Sequence, residues 1–125
     1  MKRFVFESWL LLLGFEFAMR FRDFKSLHEI VRTQEVNTAG VTDHISNEQL
    51  CRAVDIACVF YFKQVLCLQR SAATTILLRR YGRKAEMVIG ARVIPFQSHA
   101  WVEIGDRVVN DKPYMLEIYR VLERC

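Results

Sequence analysis

The feature that most constrains this chain is a change of hydrophobic period at Gly82. Before it, apolar residues recur three and four apart; after it, Ala85, Met87 and Ile89 alternate with Lys84, Glu86 and Val88 as far as Gly90. A period near 3.6 belongs to a helix and a period of 2 to a strand, so the pattern predicts helices first and a sheet afterwards. No helical stretch long enough for a crossover separates the strands that follow. Their pairing is therefore expected to be antiparallel, and the fold class α+β.

Taken in order, Phe4 to Arg22 carries Trp9-Leu10-Leu11-Leu12-Leu13 and then Phe15, Phe17, Ala18 and Met19. Glu7 and Glu16 interrupt any run near the ~20 apolar residues a bilayer span needs, and no small-residue cleavage site follows, so a packed helix is expected and membrane contact is only a minor reading. Phe21, Phe24, Leu27, Ile30 and Val31 keep helical spacing after a bend, which makes a helical hairpin. Thr33 to Ile45 turns polar, with Asn37-Thr38-Ala39-Gly40 and Asp43-His44 as turn chemistry, and reads as a loop.

Ser46 with Gln49 forms a capping-box start, followed by Leu50, Val54, Ala57, Cys58, Tyr61 and Phe62 on one helical face. Cys67 stands just ahead of a second helical pattern, Leu68 to Tyr81, small-sided from Ser71 to Thr75, which Gly82 closes as a C-terminal cap would. Two strands flank Gly105-Asp106, and a last strand is expected over Met115 to Val121. The chain divides into an apolar helical segment and loop, 1–45, and a core, 46–125, within one compact domain, as a length of 125 residues suggests.

Composition removes several functions. Lys plus Arg exceed Asp plus Glu by 18 to 14, a surplus gathered in Arg70, Arg79, Arg80 and Arg83 and in Arg20 and Arg22. Without aromatics interleaved at a readable spacing, these read as solvated helix faces, and no nucleic-acid partner is expected. Cys51, Cys58, Cys67 and Cys125 contain no C-x-x-C pair, so neither a metal site nor a cofactor is expected. Cys51 and Cys58 lie about 10 Å apart along a helix, beyond disulfide reach. Free thiols fit a reducing cytoplasm.

What remains is a thiol, an imidazole and a carboxylate in order: Cys67 at a helix start, His99 within the strand Phe96 to Ile104, and Asp111 after the short run Arg107 to Asn110. A helix start and a nearby imidazole both favour thiolate, the nucleophilic form, and a carboxylate fixes the imidazole tautomer. Strand register tests the last demand. A two-residue Gly105-Asp106 turn would pair Ile104 with Arg107 and set Asp111 off the face of His99. A three-residue turn instead pairs Glu103 with Arg107, Trp101 with Val109 and His99 with Asp111, and is the expectation here.

Rival groups are poorer. His28 and His44 have no companion thiol, Ser98 points off the His99 face, and the other cysteines lie within a helix or at the C-terminus. For an oxyanion, the backbone N–H of Cys67 is the natural donor, with the Gln64 side chain as a weaker second. A buried cysteine and a packed histidine remain the plain alternative.

Cys67-Leu68-Gln69-Arg70-Ser71-Ala72, Leu77-Leu78-Arg79-Arg80-Tyr81-Gly82, His99-Ala100-Trp101-Val102-Glu103 and Val109-Asn110-Asp111 resemble the transglutaminase-like leader peptidases of bacterial lasso-peptide biosynthesis. The resemblance covers about residues 46 to 111 and implies a papain-like core with Cys67 as nucleophile, His99 as general base and then acid, and Asp111 as orienting carboxylate. It implies a precursor peptide cut behind its leader, a separate leader-binding recognition protein, and a lasso cyclase as partners, with Trp9 to Val31 as a docking face. An acyl-transferring or non-cutting, peptide-binding module of the same superfamily is the alternative. Gln69 to Thr75 departs from the more leucine-rich helix expected of that family.

Overall fold

The computed structural model describes residues 2–37, 45–93 and 95–125; the expected polar loop, with His44, falls largely outside them. Helices α1 (Lys2–Phe21), α2 (Phe24–Thr33), α3 (Asn47–Val59) and α4 (Cys67–Arg80) come first. Strands β1 (Ala85–Val93), β2 (Phe96–Ile104) and β3 (Arg107–Val108), a short helix α5 (Met115–Ile118) and β4 (Arg120–Arg124) follow. The strands form one antiparallel sheet in the order β3-β2-β1-β4. The change of period at Gly82 thus marks the change from helices to sheet, and the fold is α+β.

Local chemistry sets the boundaries. Asp23 stops the first hairpin arm and starts the second, its carboxylate accepting from the Ser26 N–H at 3.1 Å. Ser46 and Gln49 form both halves of the capping box on α3. At the end of α4, Gly82 adopts φ 85°, its N–H donates to the Arg79 carbonyl and that of Arg83 to the Leu78 carbonyl, a Schellman closure. Among the described residues no helix is long and apolar enough to cross a membrane.

α4 is the centre of the molecule. Its residues from Ser71 to Arg79 are all buried, because small side chains let α1, α3 and the sheet close around it. Leu12, Leu27, Leu50, Leu77, Met87 and Val102 join it in one core, each such side chain contributing roughly 1.5–3 kcal/mol on burial. Arg79 departs from the solvated face expected of it. Only 7% exposed, it donates to the carbonyls of Ala85, Val31, Gln34 and Cys125 and so pins α2, β1 and the C-terminal strand to α4. Burial pulls its guanidinium below the ordinary range. On the other face of the sheet a second cluster gathers Val88, Trp101 and Met115 with Tyr119 and Val121.

Two further expectations are corrected. Met115 to Val121 is not one strand: Met115–Ile118 is helical, with the Tyr119 N–H donating to the Met115 carbonyl at 2.9 Å, and the strand runs from Arg120 to Arg124. Burial of Met115 under the sheet decides this over a weak alternation. The β2–β3 register is also the one not expected. Ile104 pairs with Arg107 and Glu103 with Val108, because Gly105, at φ 62°, supplies a two-residue turn with glycine first. Glu103 finds its cation in Arg124 instead of Arg107.

Candidate functional site

The regular β2–β3 ladder lasts only a few residues. The Val109 N–H donates to the Val102 carbonyl at 2.9 Å, and a continued ladder would return a bond from Val102 N–H to the Val109 carbonyl. That position is taken by the Asn110 side chain, whose Oδ1 accepts from Val102 N–H at 2.7 Å. The ladder ends on a side chain, which frees the backbone to leave the strand path. Asp111 then reaches His99 although the register would have kept them apart, and His99 Nε2 lies 2.6 Å from Asp111 Oδ2. The expected pair forms by a route that strand pairing does not offer.

α4 supplies the second support. Ser71 Oγ donates to the Ala100 carbonyl at 3.0 Å, on the edge of β2 that β3 no longer covers, and accepts from Asn110 Nδ2 at 3.3 Å. Arg70 holds the Asn110 carbonyl through Nη2 and Asp55 of α3 through Nε, each at 2.9 Å. The residues following Cys67 on its own helix therefore clasp both the strand that carries His99 and the turn that carries Asp111. Sequence reasoning missed Asn110, Ser71 and Arg70 as positioning groups. The one available signal was an Asn directly before the candidate Asp, a residue type able to replace a ladder bond with its side chain.

The imidazole also packs in a three-ring cluster, with Trp101 and Tyr119 themselves 5.8 Å apart. His99 stacks on Tyr119 at 5.4 Å and on Trp101 at 6.2 Å, and the Trp101 indole N–H donates to buried Glu103 at 2.8 Å. Gly90, opposite His99 on β1, makes room for these rings: a Cβ there would stand 2.6 Å from Trp101 Cη2 and 2.9 Å from Tyr119 Cβ. Burial pushes the Asp111 carboxyl up, but bonds from His99 and the Lys112 N–H, with Arg70 nearby, outweigh it and hold the group below the ordinary carboxylate range.

Cys67 is the first residue of α4 and half-buried. With His99 it lines a cavity of about 300 Å³, together with Leu68, Ile89, Ser98, Ala100 and His28. Among the described residues no hydrogen bond joins the thiol to the imidazole. Because Asp111 occupies Nε2, the nitrogen left for the thiol is Nδ1. α4 has Leu66 as its N-cap and no side-chain cap bond, so its first N–H groups stay open, unlike those of α3. His28, set aside in the sequence for want of a thiol, stands at the same cavity as Cys67, tied to Glu123 at 3.4 Å. Gln64 is exposed and does not line the cavity.

The other thiols sit differently. Burial raises Cys51 to about 11 and also raises Cys58 and Cys125; all four cysteines are free. Among the described residues no group of three His, Cys, Asp or Glu side chains converges as a metal site would require.

A sequence model of the transglutaminase-like superfamily matches residues 10–124, nearly the whole chain, and the chain belongs to that superfamily. It is also 43% identical over 56 residues to the microcin J25-processing protein McjB of Escherichia coli. That match covers 45% of this chain and 27% of McjB, so only about a quarter of that relative's length is compared. No solved structure matches.

Proposed function

We propose that this chain is a cysteine peptidase that removes the leader from a ribosomally made precursor peptide during lasso-peptide maturation. The observation that carries the reading is the His99–Asp111 bond of 2.6 Å at a cavity that Cys67 shares. It is supported by membership of a superfamily with this chemistry and by the partial likeness to a protein named for microcin J25 processing.

The chemistry follows from the geometry. Asp111 keeps the imidazole proton on Nε2, so Nδ1 is the base that takes the Cys67 proton. The sulfur attacks the scissile carbonyl, and the oxyanion that forms turns to the open N–H groups at the start of α4, first that of Cys67. His99 returns its proton to the leaving amine, a thioester remains, and water activated by the same imidazole releases the acid and restores the thiol. The amine set free is the group a partner lasso cyclase would join to a side-chain carboxylate. In this reading residues 46–125 carry the catalytic core, 1–45 the docking segment for a separate leader-binding protein, and the reducing cytoplasm keeps the thiol competent.

The test is incubation of a lasso precursor peptide and its leader-binding protein with wild type and with Cys67→Ala. Cleavage behind the leader by wild type and its loss in the variant are expected; equal cleavage by the variant would refute the assignment. Iodoacetamide at mildly alkaline pH provides a check without substrate. It should modify Cys67 ahead of Cys51, Cys58 and Cys125, whose thiols burial pushes up.

A further inference from the structure

We propose that the substrate is held as an added strand on the open edge of β2, with its main chain bonded to the N–H and C=O of Ser98. This inference rests on the peptidase reading and names how that site recognises an extended peptide.

The direction of the Ser98 backbone follows from the ladders on either side. The Val102 carbonyl accepts from Val109 on the β3 side. Met87, the β1 partner of Val102, spends both its N–H and its C=O on Cys125, at 3.0 and 2.8 Å, on the far side of β1. Val102 and Met87 are thus a pair without mutual bonds, and in an antiparallel ladder every second pair repeats that character. The β1–β2 register runs without a shift through Ala100 opposite Ile89 and Ser98 opposite Ala91. The backbone groups of Ala100 and Ser98 therefore point away from β1, to the edge β3 has left.

Ser71 takes the Ala100 carbonyl. The next pair along, the N–H and C=O of Ser98, lies on the same edge, and Ser98 lines the cavity that Cys67 and Leu68 border from the start of α4. A donor and an acceptor on one exposed residue, spaced as in a strand, are what an extended peptide needs to add itself to a sheet. Strand addition there sets a carbonyl between the edge and the thiol. Leu68, Ile89 and Ala100 make the cavity largely apolar, so the side chain it receives is uncharged, with His28 as the polar group at its wall.

The experiment compares two alkylating reagents on the full chain: acetyl-Ala-Ala-Ala chloromethyl ketone, which brings a peptide main chain, and iodoacetamide, which brings none. Labelling of Cys67 is followed by mass spectrometry in wild type and in Ser98→Pro, which removes one outward N–H and leaves the β1 ladder unchanged. Loss of one neutral hydrogen bond predicts about a tenfold slower reaction with the peptide reagent and an iodoacetamide rate within about twofold of wild type. A second arm needs no variant: on wild type, methylating one amide nitrogen of the peptide reagent should cost a similar factor at one position and little at its neighbour. Equal slowing by both reagents, or insensitivity to every N-methylation, would overturn strand addition while leaving Cys67 as nucleophile. Failure of Cys67 to react with either reagent would remove the peptidase reading and this inference with it.

Discussion

The two ends of β2 solve the same problem differently. At the Ile104 end, Gly105 makes a tight turn and backbone pairs with backbone, Ile104 against Arg107 and Glu103 against Val108. Toward His99 the partner strand is gone, and the Asn110 and Ser71 side chains take its place, with Arg70 holding the Asn110 carbonyl. A regular ladder fixes register but alternates its side chains rigidly. Only where it breaks can a carboxylate one position out of phase come to the face of the imidazole, so the candidate site stands at the break.

Substitutions at the broken end should do most. Asp111→Asn keeps the shape but lets the amide donate to the imidazole and favours the wrong tautomer. Peptide cleavage should fall by roughly a thousandfold or more with little change in the denaturation midpoint; a loss under tenfold would separate Asp111 from the chemistry. Asn110→Ala leaves Val102 N–H buried without an acceptor, an expected cost of about 1–3 kcal/mol in denaturant unfolding, and cleavage should fall with it because Asp111 loses its anchor. Gly90→Ala drives a Cβ into Trp101 and Tyr119. We expect a stability loss of about 1–3 kcal/mol and a displaced His99, visible as shifted imidazole resonances. Arg107→Ala, exposed at the regular end, should change stability by less than about 0.5 kcal/mol and leave cleavage unaltered. A large effect there would erase the contrast between the two ends.

Acidification sharpens the same contrast. The Asp111 carboxyl is held below its ordinary range chiefly against burial, by His99 and the Lys112 N–H. A lowered folded pKa means that its contribution to stability is full above the unfolded value, about 3.9, and is lost only as pH falls through the lower folded one. Carbon-13 titration of the Asp111 carboxyl should therefore show a midpoint beneath about 3.9, and a midpoint above it would contradict the bonding described.

Much of the architecture is legible in local sequence signals. The period change at Gly82, the capping box at Ser46 and Gln49, and the small-sided run after Cys67 are local signals, and local signals report local backbone preference well. Of the candidate site, the meeting of His99 with Asp111 is legible in the sequence, but not how they meet. A three-residue turn would give sensible cross-strand pairs. The chain satisfies the same groups by longer routes, Glu103 through Arg124 and Trp101, and Asp111 through Asn110. Arg79 misled for a related reason: four carbonyl acceptors drawn from distant segments are invisible in a helical pattern.

By itself, then, the sequence determined the helices before Gly82 and the strands directly after it, the closure of α4 at Gly82, and the order of a candidate thiol, imidazole and carboxylate along the chain. The tertiary structure alone decided that β3 stops after two residues, that α4 rather than a strand covers the edge of β2, and that His28 comes to the cavity of Cys67. The physical reason is range: backbone preference is set by neighbours a few residues apart, whereas a hydrogen-bond partner is whichever group the packed core brings near, however distant in the chain.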